Sequence, residues 1–176
     1  VSNKLPSREQ ALQLLRESNC SAKVVEHCEA VAKLAAETAK IIQGKGLKVN
    51  VELVEIGALV HDIGRSKTHS VSHAVAGAKI AESAGLPEPV VAIIKRHVGG
   101  GITAAEAEAL GWPRDNYVPI TLEEKIVSYA DKLIETSGRV PIEMTINKLK
   151  EEKLDTAADR VRLLHDEIES LFGERP

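Results

Sequence analysis

With 176 residues, 43% of them apolar and 28% charged, the chain can bury a substantial core without disulfides or other staples, and one domain over 1–176 is the expectation. Only 2% of the residues are aromatic, so that core must be aliphatic and alanine-rich, which suits closely packed helices. A net charge of -3 gives no general attraction to nucleic acid or to an anionic membrane, two cysteines (Cys20 and Cys28) are too few for a disulfide framework, and no apolar run is long enough to span a bilayer.

Taken in chain order, Val1 to Arg8 lacks the basic-then-apolar order of a secretory signal, and a reducing, cytoplasmic setting is expected. Ser7 with Gln10 has the spacing of a capping box and opens a helix over 8–18. Ser21 and Asn50 are further N-cap residues, since their side-chain oxygens can accept from unpaired amides of a first turn, and they start helices over 22–43 and 51–62. Helical spacing continues over 72–84 and 88–97, with Gly44 and Gly85 as stops. Thr103 with Glu106 and Thr121 with Glu124 repeat the capping-box spacing ahead of helices over 104–109 and 122–136, and helices over 142–152 and 156–172 follow, the last stopped by Gly173. Residues 117–121 read as extended or loop, and no segment alternates long enough to predict a sheet strand. The fold class is all-α. Val161, Leu164, Ile168 and Leu171 share a stripe on the last helix, so 141–173 is expected to brace the body or to form a homodimer surface.

The polar residues set among apolar ones carry the chemistry. His27 shares a helix face with Val24, Val31 and Leu34, His61 follows Val54 and Ala58, His73 precedes Gly77 and Ile80, His97 follows Val90, Ile93 and Ile94, and Asp131 lies between Val127 and Ile134. Any one of these, alone, reads best as a buried group satisfied by a backbone carbonyl or a nearby lysine. Together, several imidazoles and the carboxylates of Asp62 and Asp131 in an alanine-rich core need compensation, which a divalent cation gives by taking the nitrogen lone pairs and neutralising the carboxylates.

The order His27, then His61-Asp62-Ile63-Gly64, then Asp131 within Ser128-Tyr129-Ala130-Asp131-Lys132 resembles the HD superfamily of metal-dependent phosphohydrolases over about residues 20–136. The resemblance implies an all-helical domain with His27, His61, Asp62 and Asp131 as core metal ligands and a metal-bound water that attacks a phosphate ester or anhydride. Subfamilies with two metals add histidines between the HD pair and the final aspartate, where His73 and His97 stand; two metals, with Asp62 bridging, are therefore expected. The family's cyclic-dinucleotide phosphodiesterases carry a Gly-Tyr-Pro signature where this chain has Gly99-Gly100-Gly101, and its 5'-nucleotidase and guanosine-tetraphosphate branches place acids soon after the HD pair, where this chain has Arg65, Ser66 and Lys67. The closer likeness is to an HDIG-type group.

On this reading Asp62 and Arg65 are the catalytic residues. Arg65, three residues past Asp62 and just beyond Gly64, is read as a phosphate clamp, since guanidinium can grip phosphate through two hydrogen bonds. Lys132, one residue past Asp131, ranks second as a substrate contact. His69 is placed around the ligands or at the surface, His165 as structural or exposed, Trp112 and Pro113 as loop anchors, and the triple glycine as a mobile turn. The donor set suits manganese, iron, cobalt, nickel or zinc. The expected partner is a small phosphorylated substrate, a nucleotide monoester or cyclic phosphodiester; with few aromatic platforms and no basic stripe, no dedicated polynucleotide channel is expected. The alternative is a metal- or nucleotide-sensing module without turnover, against which the complete ligand set weighs, and a purely structural adaptor would make every inward histidine a coincidence.

Overall fold

The structure is a computed structural model that describes residues 4–172, so the stop assigned to Gly173 lies outside the described residues. Its helices are α1 (Arg8–Glu17), α2 (Ala22–Gly44), α3 (Val51–Val60), α4 (His73–Ser83), α5 (Glu88–Lys95), α6 (Ala104–Ala109), α7 (Leu122–Lys132), α8 (Ile142–Glu151) and α9 (Asp155–Leu171), with a single 3₁₀ turn over Ile63–Ser66. The capping signals explain most starts: Ser7 and Gln10 bond reciprocally, as do Thr103 and Glu106, while Ser21 and Asn50 accept from the amides of Val24 and Leu53. At Thr121 only half of the box forms. Thr121 accepts from the Glu124 amide, but the Glu124 carboxylate turns away to Ile120 N at 2.7 Å and Arg96 Nη1 at 2.9 Å.

Three helices end two or more residues earlier than the periodicity predicts. The segment over 51–62 stops at Val60, that over 88–97 at Lys95, and that over 122–136 at Lys132. In the last case the chain enters a two-residue hairpin, β1 (Ile134–Glu135) against β2 (Gly138–Arg139), antiparallel with Ile134 opposite Arg139. The expectation of no strand is thus corrected for this one small ribbon, which is far below the length at which alternation is legible. It turns at Thr136, whose φ is +57°, and Val140 N closes it on Leu133 O at 2.8 Å.

One apolar core runs through the helices. α2 lies against α3 and α7, α3 against α5, and α9 against α7 and α8. Ala32, Ala35 and Ala39 are buried on α2 and allow close approach, while Ile42, Leu59, Ile93, Ile126, Ile146 and Ile168 supply bulk. Each such aliphatic side chain contributes about 1.5–3 kcal/mol when buried. Val161, Leu164 and Ile168 of α9 are buried in that core, so the stripe read from the sequence packs on the body. No helix of the described residues is long and apolar enough to cross a membrane.

The triple glycine is a packing device. A Cβ on Gly100 would meet Arg160, reaching its carbonyl carbon at 2.6 Å and Val161 N at 2.8 Å, so the expected free turn is a close backbone approach to α9.

Candidate metal centre

Early helix termination is what assembles the site. His61 caps α3, Asp62 follows in the bend before the 3₁₀ turn, His73 opens α4, and His97 lies two residues past the end of α5. α2 supplies His27 and α7 supplies Asp131. Gly64 allows the 3₁₀ turn to sit on the first turn of α4: a Cβ there would strike the carbonyl oxygen of His73 and lie 2.6 Å from Gly77 N. Gly64, two residues after Asp62, therefore has a steric role, which is to let the 3₁₀ turn lie against α4 so that Asp62 can reach His73.

The four imidazoles are presented in the same way. Nδ1 lies on a carbonyl oxygen in each: Thr136 O at 2.9 Å for His27, Ala58 O at 2.6 Å for His61, Ser70 O at 2.7 Å for His73, and Ile94 O at 2.7 Å for His97. A carbonyl oxygen can only accept, so Nδ1 carries a proton and Nε2 is the nitrogen turned to the centre, holding either a second proton or a lone pair for a cation. Such anchoring of the far nitrogen is how metal-ligating histidines are held.

All four Nε2 atoms converge on two carboxylates. His73 and His97 lie 3.0 and 3.3 Å from Asp62 Oδ1; His27 and His61 lie 2.9 and 3.4 Å from Asp131 Oδ1, and both are 3.9 Å from Asp62 Oδ2. The side chains of His61, His97, His73 and Asp62 are at most 6% exposed, whereas those of His27 and Asp131 reach 17% and 16% at the mouth. His61 Nε2 is buried and makes no hydrogen bond, and His73 Nε2 faces His97 Nε2 at 2.9 Å. Two lone pairs at that distance repel unless a proton or a cation lies between them.

The charges point the same way. Burial would raise both aspartates, but His61 and hydrogen bonds from His73 and His97 hold Asp62 well below the usual carboxylate range, and Lys132 and His27 do the same for Asp131. Burial also disfavours a charged His61, yet Asp62 beside it lifts its pKa well above the ordinary imidazole value. His97, buried likewise, is pushed down to about 4. Two ionised carboxylates ringed by four aimed imidazole nitrogens, from which a cation can displace the protons, form a donor set suited to transition ions. Two groupings have ligand atoms close enough to share an ion, His27 with His61 and Asp131, and His61 with Asp62 and His97.

Arg65 and Lys132 both reach the site. Arg65 Nε donates to Asp62 Oδ2 at 2.9 Å and Nη1 to His69 O at 3.1 Å, while Lys132 Nζ donates to Asp131 Oδ2 at 2.7 Å and His97 O at 3.0 Å. His69 is exposed, and His165 bonds Tyr129 Oη at 2.9 Å away from the centre. Trp112 packs edge-on against Tyr117, whose hydroxyl donates to Pro113 O, so this loop is anchored as expected. Above the ligands opens a cavity of about 330 Å³ lined by Arg65, Val98, Lys132, Met144, Lys148 and Leu149 among others. The last three belong to α8, expected only as a brace; in the sequence their sole signal is that Met144 and Lys148 stand off the Ile142–Ile146 face, and in the structure Met144 is 50% exposed.

A profile of the HD domain matches residues 24–135. Over 166 residues the chain is 48% identical to an uncharacterized protein of Methanocaldococcus jannaschii, covering 93% of this chain and 98% of that one. It is 38% identical over 169 residues to a tRNA (cytidine(56)-2'-O)-methyltransferase of Picrophilus torridus, covering 96% of this chain and 48% of that protein, so it spans about half the length of that relative. Among solved structures it resembles the HD domain of the L. monocytogenes phosphodiesterase PgpH in complex with cyclic-di-AMP, with a TM-score of 0.57, 18% identity, and coverage of 94% of this chain and 98% of that chain. At that identity the likeness is one of fold.

Proposed function

The chain belongs to the HD domain family, and on that premise we propose that it is a metal-dependent phosphohydrolase acting on a phosphate monoester or cyclic phosphodiester of a small nucleotide-like metabolite. The observation that carries this reading is the split of Asp62: Oδ1 faces His73 and His97, and Oδ2 is the oxygen turned to His27 and His61. A carboxylate so placed suits a bridging ligand between two divalent ions, one held with His27, His61 and Asp131 and the other with His73 and His97. When bound, such ions supply a water ionised near neutral pH and positive charge for a phosphate.

The protein's own groups do the rest. Arg65 fixes Asp62 through Nε and lines the cavity, where its guanidinium can meet a phosphate oxygen. Lys132 steadies Asp131 and contributes charge at the cavity floor. The Nδ1 bonds hold each imidazole in the tautomer that presents Nε2. We read residues 1–176 as one HD-type unit with 141–173 as its C-terminal part; the half-length match to a tRNA methyltransferase is compatible with such a unit working beside a second one.

The test is elemental analysis of anaerobically purified protein beside a phosphate-release screen of nucleotides and cyclic phosphates. Close to two transition ions per chain with turnover is the expected result. Metal retention without turnover of any of these would favour the sensing module, and metal near zero that manganese, iron or zinc cannot restore would remove the assignment.

A further inference from the structure

α8 presents two faces. Ile142 and Ile146 are buried in the core, whereas Met144, Thr145, Lys148 and Leu149, spaced i, i+1, i+4 and i+5, line the cavity over the metal centre. Thr145 Oγ1 donates to Lys132 O at 2.7 Å, which pins this face to the end of α7 beside Asp131. Lys148 lies one turn further along, about 4.5 Å up the helix axis from Thr145.

The cavity cations differ in their engagement. Arg65 and Lys132 are each tied to a carboxylate of the metal centre. Lys148 is exposed, and no carboxylate oxygen of the described residues lies within 4.0 Å of its Nζ, although Glu135 and Glu152 also line the cavity. Apart from the residues of the metal centre, Gly99 and Thr145, the rest of the lining (Val98, Ile134, Val140, Met144 and Leu149) is aliphatic or thioether, so among the described residues no Phe, Tyr or Trp ring offers a stacking platform there.

We propose that α8 is the specificity wall of this site and that Lys148 selects substrates carrying a second phosphate besides the scissile one. The inference rests on the phosphohydrolase reading for its meaning, but it concerns recognition and is testable by binding alone. An ammonium on a flexible stem is a point charge suited to a phosphate whose position is set elsewhere, here by the metal centre and Arg65. The apolar face of Met144 and Leu149 then covers the body of the ligand between the two anionic groups.

The experiment is calorimetric binding of AMP, ADP and adenosine 3',5'-bisphosphate to the metal-loaded full chain, with Lys148→Gln and Lys148→Arg alongside. Wild type is expected to bind at least one of the two-phosphate ligands about tenfold more tightly than AMP, the size of one charge-assisted hydrogen bond. Lys148→Gln should erase that preference with AMP binding unchanged, and Lys148→Arg should keep it. Equal binding of all three, no binding of any, or a preference that survives in Lys148→Gln overturns the proposal. Phosphate release measured on the same samples separates the two ideas: a Lys148-dependent preference without turnover retains this inference and favours the sensing module over the hydrolase.

Discussion

Asp62 has the most partners in the molecule's polar centre, facing four imidazoles and Arg65 with a side chain 6% exposed. Removing it leaves His73 and His97 without their carboxylate, so Asp62→Ala is expected to abolish both metal retention and phosphate release, checked by elemental analysis and a release assay; full activity in that variant would rule out the mechanism. His73→Ala and His97→Ala should each lower metal content toward one ion per chain, because His27, His61 and Asp131 remain as a set. Unchanged stoichiometry in both would point to a mononuclear centre. Arg65 is partly exposed and bonds a carboxylate that the ions would hold anyway. Arg65→Ala should therefore cut kcat/KM by roughly tenfold, the worth of one charge-assisted contact, with metal content near wild type. Loss of metal instead would make it a positioning residue for Asp62.

At the scale of elements, the junctions matter more than the helices. Gly64 lies where the 3₁₀ turn meets α4, against backbone that cannot yield. Gly64→Ala is expected to cost about 3 kcal/mol or more through forced backbone displacement and to loosen the Asp62–His73 approach, seen as a lower Tm together with reduced metal content. A normal Tm and full metal content would show that the junction yields. α6 is tied to α9 by Glu106, whose two oxygens accept from Arg160 Nη2 and Nη1 at 2.8 and 2.7 Å. That guanidinium, helped by Thr103 N and opposed by slight burial, pulls the Glu106 pKa down to about 2 from an ordinary 4.5. A depressed carboxylate stabilises the fold above its unfolded pKa and loses that contribution as pH falls through the folded one. The Tm gap between wild type and Glu106→Gln should thus be steady at neutral pH, begin to shrink below about 4.5 and vanish near 2. A gap that does not change with pH would mean the pair contributes by packing alone.

For the whole molecule, the metal centre is where α2, α3, α4, α5 and α7 meet, so the ions would link helices far apart in sequence. Ligands that bind only the folded state stabilise it by about 2.7 kcal/mol at a hundredfold excess over Kd. For a chain of this size that corresponds to roughly 5–10 °C in Tm. Chelation followed by differential scanning calorimetry is expected to show such a drop, reversed by adding metal back. A Tm indifferent to chelation and reconstitution would argue that the histidine cluster is satisfied without ions.

Much of this was legible in the chain because the signals are local. Capping residues must sit next to the amides they serve, and an apolar stripe needs only helical spacing, so α1 to α9 and the inward aim of His27, His61, His73 and His97 could be read from neighbours a few residues away. What the tertiary structure decided depends on contacts between distant segments. His61, His73 and His97 find their Nδ1 acceptors three residues back, but His27 takes Thr136 O, 109 positions away, on a hairpin too short to show in any periodicity. The turn of Glu124 from its cap to Arg96, the seating of Gly100 on α9 and the entry of Lys148 and Met144 into the cavity wall likewise depend on what another helix places opposite them. Local rules set which elements form; only packing sets which of their faces meet.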